Sequence, residues 1–304
     1  GFVAFTPFSL SAAQICIFLG ITFWLIISWR EERLADMRYP LAWPFVVFAA
    51  LTLVSALFSQ DPIRSLSDSK QLFQIIIFFF ALNLIRDNLE ATGLVILLIF
   101  VVVLSSAYAL FVALGGGISL ARRMSGLYSI YMTFGGVLML TAALALTYLL
   151  IPKVSKLSPW IAGAAILILA ALMTTFSRNA WLGVLVSLLA LAYWGRSVWA
   201  IALIVIGIVL VFLFSPPSIR NRLKSLGDIK DKTAIERIYM WKSGLRMIRD
   251  HPLFGLGPDI IKPAYPRFAD PRAVKKESGH LHNNFIHIGA ERGLPALVVW
   301  IWIW

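Results

Sequence analysis

The chain has 304 residues, of which 60% are hydrophobic and only 14% charged, with a mean hydropathy of +0.83 and a net charge of +12. An apolar share so far above the about 45–50% of soluble domains excludes a water-soluble globular protein. It predicts an all-α polytopic membrane protein, a multi-span helix bundle with a large extracytoplasmic loop that contains amphipathic helices. The one cysteine, Cys16, excludes an intrachain disulfide and lies in an apolar run, where packing is its expected role.

Because it opens on Gly1 and stops at Trp304 inside an apolar run, the chain reads as a segment of a longer protein. Crossing a bilayer takes about 20 apolar residues. Eight runs fit, near 9–29, 41–58, 70–85, 93–114, 128–151, 159–177, 179–194 and 198–214, and a further one begins at Leu294. The expected organisation is therefore an eight-span bundle over 1–214, an extracytoplasmic loop over 215–293, and the start of another transmembrane helix over 294–304. Pro40 and Pro44 open the second run, Gly115-Gly116-Gly117 closes the fourth, and Pro152 and Pro159 bracket the turn after the fifth. Trp24, Trp29, Trp43, Trp160, Trp194 and Trp199 fall near span ends, as an interfacial aromatic belt requires.

The short loops set the orientation. Arg30, Arg33, Arg38, Arg86, Lys153, Lys156 and Arg196 fall on one side, and Arg64, Lys70, Arg122, Arg123 and Arg178 on the other. The excess of seven over five makes the first side cytoplasmic. The long loop then faces outward. Residues 215–281 carry fourteen Lys or Arg against seven Asp or Glu, so this loop contributes +7 of the net charge. Such a surface suits an anionic partner. Beside a bilayer that partner is lipid-linked phosphate or the headgroups of membrane lipids, not nucleic acid.

Within the loop, Ile235, Ile238, Tyr239, Trp241, Leu245 and Ile248 recur mostly at three- and four-residue spacing, which predicts an amphipathic helix from Thr233 to Ile248 lying on the outer membrane surface. It ends at Asp250-His251-Pro252, with His251 as a C-terminal cap. A glycine-rich turn, Leu253-Phe254-Gly255-Leu256-Gly257-Pro258, follows.

Three of the four histidines sit in the next stretch, Gly279 to Pro295. Imidazole titrates nearest neutrality, so histidines at the wet end of an apolar segment point to proton transfer. His282 or Asn283 caps a short helix running to about Arg292, Gly293 ends it, and Pro295 enters the first turn of the next. His287 and Glu291, four residues apart, read as a surface pair. His280 and His282 precede the helix, where a side chain reaches a reacting group. The competing zinc reading of His-x-His lacks cysteine and a carboxylate at ligand spacing, so neither metal nor cofactor is expected.

Arginines supply the other half of the constellation. Arg178 occupies the short turn of Thr174-Thr175-Phe176-Ser177-Arg178-Asn179-Ala180-Trp181 between two spans, where burying charge is costly and a functional partner is the default inference. Snorkelling to headgroups is the alternative. Arg122 and Arg123 form a pair on the outer side, ahead of Met124-Ser125-Gly126.

Taken together, these stretches resemble the O-antigen ligase and polymerase superfamily of bacterial envelope glycan transferases. His282-Asn283 followed by Glu291, Gly293 and an apolar run is similar to its histidine signature. Ser177-Arg178-Asn179-Ala180-Trp181 is similar to its Ser-Arg-small motif. Arg237, Trp241, Pro252, Gly255 and Gly257 follow the arginine, tryptophan and Pro-x-x-Gly-x-Gly succession of its periplasmic loop. Pro295-Ala296 departs from the glycine that usually follows the histidine helix.

The resemblance implies a multi-pass protein of the bacterial inner membrane whose active site faces the periplasm. It implies transfer of a glycan from undecaprenyl diphosphate to a hydroxyl acceptor, with lipid A-core the expected acceptor. On that reading His282 takes the acceptor proton, and Arg178 and Arg237 hold the diphosphate, with Arg122 or Arg123 assisting. Asn283, His280, Trp241, Gly255 and Gly257 support them. A polysaccharide polymerase or a protein O-oligosaccharyltransferase would use the same donor chemistry. A metal-dependent transferase using Asp61 and Asp68 lacks an Asp-x-Asp pair. A transporter or flippase would need paired mid-membrane helix breaks that the sequence does not display.

Overall fold

The computed structural model describes residues 2–8, 10–32, 37–85, 87–119, 122–150, 158–195, 198–214 and 232–304. Arg33, Arg86, Pro152, Lys153, Lys156, Arg196 and the first part of the expected loop, residues 215–231, lie outside them. In chain order the helices are α1 (Phe2–Phe5), α2 (Leu10–Arg30), α3 (Ala42–Leu57), α4 (Pro62–Asp68), a 3-10 turn (Ser69–Phe73), α5 (Gln74–Leu84), α6 (Asn88–Gly116), α7 (Tyr131–Leu150), α8 (Ser158–Thr174), α9 (Arg178–Trp194), α10 (Val198–Phe214), α11 (Lys232–Asp250), α12 (Ile261–Phe268) and α13 (Asn284–Ile303). No strand occurs among the described residues, and the chain is an all-helical polytopic membrane protein.

Among the described residues, Ser11–Arg30, Asn88–Gly116, Tyr131–Leu150 and Asn284–Ile303 are long and apolar enough to cross a bilayer. Ala42–Leu57, Pro159–Thr174 and Arg178–Trp194 are apolar but shorter. The expected run near 70–85 is built differently from a single span. Asp61 accepts from the Arg64 N–H and, with Pro62 at the first position, starts α4 early; the chain then tightens through Ser69–Phe73 before α5 resumes.

The chain forms two compact units, Gly1–Leu25 with Ile85–Gly227, and Ile26–Leu84 with Asp228–Trp304. In the first, α7 buries Phe134, Leu138, Thr141, Ala142 and Ala145 at three- and four-residue spacing, and these join Ala165, Ile168 and Leu172 of α8 in one core. Small residues at such positions let helices approach closely, the usual device where lipid removes the hydrophobic drive for helix association. The faces turned outward are also apolar: Phe111, Leu114, Trp160 and Tyr193 are exposed, as lipid contact permits.

In the second unit α3 packs on α13, and α11, α12 and α13 come together around Met240, Met247, Leu256, Ile260, Ile261, Tyr265 and Leu281. An amphipathic helix forms over Lys232–Asp250, enclosing the expected Thr233–Ile248, and it also has a face turned to the protein. Met240, Ser243, Gly244 and Met247 face the core, whereas Trp241 and Leu245 are exposed. Packing on that face is close: a side chain at Gly244 would collide with Ile286 and Leu281, so the smallest residues, not the bulkiest, mark the contact face.

Candidate active site

The histidine helix begins where its local sequence dictates. Asn283 adopts extended backbone and its Oδ1 accepts the N–H groups of Phe285 and Ile286 at 3.0 and 3.2 Å, satisfying two of the donors that open a helix. Just before the cap, His282 has φ of 53°, a left-handed conformation that its Cβ disfavours. Its backbone N–H donates to His280 Nδ1 at 2.9 Å. The His280 ring lies 5.3 Å from that of His282 and 4.4 Å from that of His287, so three imidazoles gather around one turn of chain.

Partial burial lowers the pKa of both His280 and His282 from the ordinary imidazole value. For His282, positive charge on Arg237, His280 and Lys275 lowers it further. An imidazole held neutral in this way is free to accept a proton. Arg237 and His282 lie in the same unit, near enough for the charge of one to act on the other.

At its far end the first half of α13 stops at Gly293, whose φ of 82° and ψ of 172° break the helix before Pro295 starts the next segment. The glycine-rich turn docks on this break. Leu256 and Gly257 donate their N–H groups to the carbonyls of Ala290 and Glu291 at 2.9 and 2.8 Å, and Leu294 donates to Pro252 O at 2.8 Å. Gly255 has φ of 65°, and a Cβ there would strike the Glu291 carbonyl; one at Gly293 would strike the Leu253 carbonyl. Gly257, with φ of 105°, abuts Ser59 and Ser65. These backbone atoms cannot move aside as a flexible side chain can. Gly293→Ala is therefore expected to destabilise the protein by about 2 kcal/mol or more. Thermal unfolding in detergent checks this, with Gly163→Ala, which has open space around it, as the neutral control.

The basic stretch from Arg272 to Lys276 is partly spent on the loop's own scaffold. Asp270 is buried, and the Arg272 side chain and backbone N–H hold its carboxyl down at about 2. It pairs with Arg272 at 3.1 Å and Arg246 at 3.2 Å, while Lys276 Nζ donates to the carbonyls of Asp270 and Pro271. Glu236 accepts the N–H groups of Val274 and Lys275. Arg237 is half-buried and Trp241 lies one turn on, with its ring partly exposed. His251 ends α11 through its backbone N–H to Met247 O at 2.9 Å, and its ring faces Phe268.

Arg178 and the Arg122–Arg123 pair lie in the first unit. There the Met124 N–H donates to Thr174 O at 3.2 Å, which sets the arginine pair's segment beside the turn that leads into Arg178. That turn is tight: Phe176 has φ of 51°, the Thr174 and Thr175 hydroxyls donate to Ala171 O and Leu172 O, and Trp181 Nε1 donates to Leu172 O. Arg122 donates to Gly116 O at 2.8 Å and Arg123 lies over the Tyr131 ring at 4.6 Å.

One expectation is corrected. His287 and Glu291 do approach, at 3.5 Å, but they are not a surface pair: their side chains are 17% and 7% exposed. The face of α13 that carries them turns inward because Glu291 is also tied to Arg292 and to the Asp259 N–H. Asp270 is a polar centre the sequence reading missed, and Glu291 was named there without its burial being seen. For Asp270 the signal was present in Asp-x-Arg, a spacing at which a carboxylate folds back on its neighbour. Among the described residues no group of three His, Cys, Asp or Glu is arranged to hold a metal ion.

Residues 163–301, which contain the Arg178 turn, α11, the glycine-rich turn and the histidine helix, match the family model described as O-antigen ligase. No curated protein and no solved structure matches the chain significantly. Over residues 163–301 the chain is thus similar to the O-antigen ligase family.

Proposed function

We propose that this protein transfers a glycan from undecaprenyl diphosphate to a hydroxyl acceptor, lipid A-core, at the periplasmic face of the bacterial inner membrane. The observation that carries the reading is His282: a left-handed residue at the mouth of a capped helix, its pKa lowered, with Arg237 acting on it and an O-antigen ligase match around it. His282 accepts the acceptor's hydroxyl proton as that oxygen attacks the anomeric carbon. The bond from that carbon to the diphosphate breaks and the diphosphate departs as an anion. Arg237 neutralises the departing charge beside the base. Arg178, with Arg122 and Arg123, is assigned to the donor phosphates on the family's motif. Arginine-stabilised diphosphate is a good leaving group, and no step requires a cofactor.

Deleting the gene and weighing the envelope glycoconjugates by mass spectrometry tests the assignment. The expected result is unsubstituted lipid A-core together with accumulated undecaprenyl-linked glycan. Core carrying single repeat units would make the protein a polymerase, and loss of glycan from protein alone would make it a protein O-oligosaccharyltransferase. An unchanged envelope profile would remove the proposal.

A further inference from the structure

Glu291 is a buried acid one helix turn from the histidine cluster, and the reaction proposed above does not use it. It is 5% exposed. Taking a carboxylate out of water is unfavourable unless its oxygens are satisfied, and here they are. Oε1 accepts the Asp259 N–H at 3.0 Å and lies 3.5 Å from His287 Nε2, and Oε2 pairs with Arg292. The backbone is pinned as well, because the Glu291 carbonyl accepts from Ser55 Oγ at 2.9 Å and from the Gly257 N–H at 2.8 Å.

From this fixed point a continuous set of contacts leads to His282. Glu291 meets the His287 ring; the His287 ring lies against His280 with centroids 4.4 Å apart and planes at 30°; His280 Nδ1 accepts the N–H of His282. The other nitrogen of His287, Nδ1, is buried without a hydrogen-bond partner among the described residues, and burial lowers the ring's pKa to about 4, so it stands as a neutral imidazole whose polar neighbour is Glu291 at 3.5 Å. The last contact matters because a φ of 53° is uncommon outside glycine, though histidine adopts it more readily than most residues, and the hydrogen bond from the His282 N–H helps to hold it there.

We infer that Glu291 and His287 are positioning residues for His282. The carboxylate anchors the His287 ring, the ring backs His280, and His280 holds His282 in the left-handed geometry that sets the direction of its imidazole. The consequence for turnover rests on the reading of His282 as the base; the consequence for His282's own geometry does not.

Two variants separate this from a scaffolding role. Glu291→Gln keeps the volume and an oxygen for the Asp259 N–H but removes the charge. His287→Phe keeps a ring against His280 but offers no nitrogen to Glu291, and His287→Ala removes both. In purified protein in bilayers, the rate at which diethyl pyrocarbonate acylates His282 is followed by peptide mass spectrometry, beside kcat and KM for transfer from undecaprenyl diphosphate-linked glycan.

The expected result is a severalfold change in His282 acylation in Glu291→Gln and His287→Ala. The kcat should fall by about 10- to 100-fold at unchanged KM, the size typical of a small misplacement of a reacting group. His287→Phe should recover part of the loss. Folded Glu291→Gln and His287→Ala proteins with wild-type His282 acylation and wild-type kcat would overturn the inference. Persisting transfer in His282→Ala would instead sink the general-base reading, and the acylation measurement would still decide the positioning claim.

Discussion

His282→Ala is expected to lower glycan transfer by about 10²–10⁴-fold, the usual contribution of a positioned general base, while leaving the protein inserted and able to bind donor. The reasoning starts from the ring's surroundings. Partial burial and then the Arg237 charge lower its pKa, so near neutral pH the imidazole is unprotonated and able to accept. Alanine removes that acceptor and leaves the arginines in place, so the loss belongs in kcat and not in donor binding. His280→Ala is expected to be milder, because His280 acts on His282 through one hydrogen bond to its backbone. Donor binding by a photoreactive undecaprenyl diphosphate, measured beside turnover, separates the two effects. Equal loss in His280→Ala and His282→Ala, with reversible inactivation by EDTA and restoration by a divalent ion, would make the pair a metal site and end the general-base assignment.

What the sequence disclosed follows from which forces are local. A cap at His282 or Asn283, Gly293 as break and Pro295 in the next turn were legible because each expresses a backbone preference that needs no partner, and the structure resolves the cap to Asn283. The apolar runs were legible for a similar reason, since hydrocarbon length alone sets the possibility of crossing a bilayer. Burial of one helix face against another is not local. The stripe of large residues in α11 was legible as an apolar surface, but nothing local in it disclosed that a protein core lies on the side of Gly244, where the histidine helix comes close. His287 and Glu291 looked like a solvated pair because their spacing permits one; only the docking of the glycine-rich turn on Ala290 and Glu291 shows that this face is covered. The charge count of the loop likewise could not reveal that Arg246, Arg272 and Lys276 are held by Asp270.

Arg237→Lys is expected to lose most of the activity, by about 10²-fold, without shifting the pH dependence. The two roles assigned to Arg237 predict different things. As a phosphate ligand it offers parallel N–H donors in a rigid plane, which an ammonium cannot reproduce. As a nearby positive charge it lowers the pKa of His282, and lysine preserves that. The sign is fixed by the base mechanism. A lowered imidazole pKa keeps the neutral, active form populated below the ordinary value near 6.5, so the acid limb of kcat/KM lies below that value. Arg237→Gln removes the charge, the His282 pKa rises, and the acid limb should move upward in pH while the plateau also falls. Arg237→Lys should lower the plateau and leave the limb where it is. Arg178→Lys is expected to cost activity to a similar extent, on the ground that its motif also supplies a planar fork. Near-normal plateaus in both lysine variants would mean that these residues contribute only positive potential. An unmoved limb in Arg237→Gln would show that Arg237 does not set the proton affinity of His282, leaving desolvation as the dominant cause.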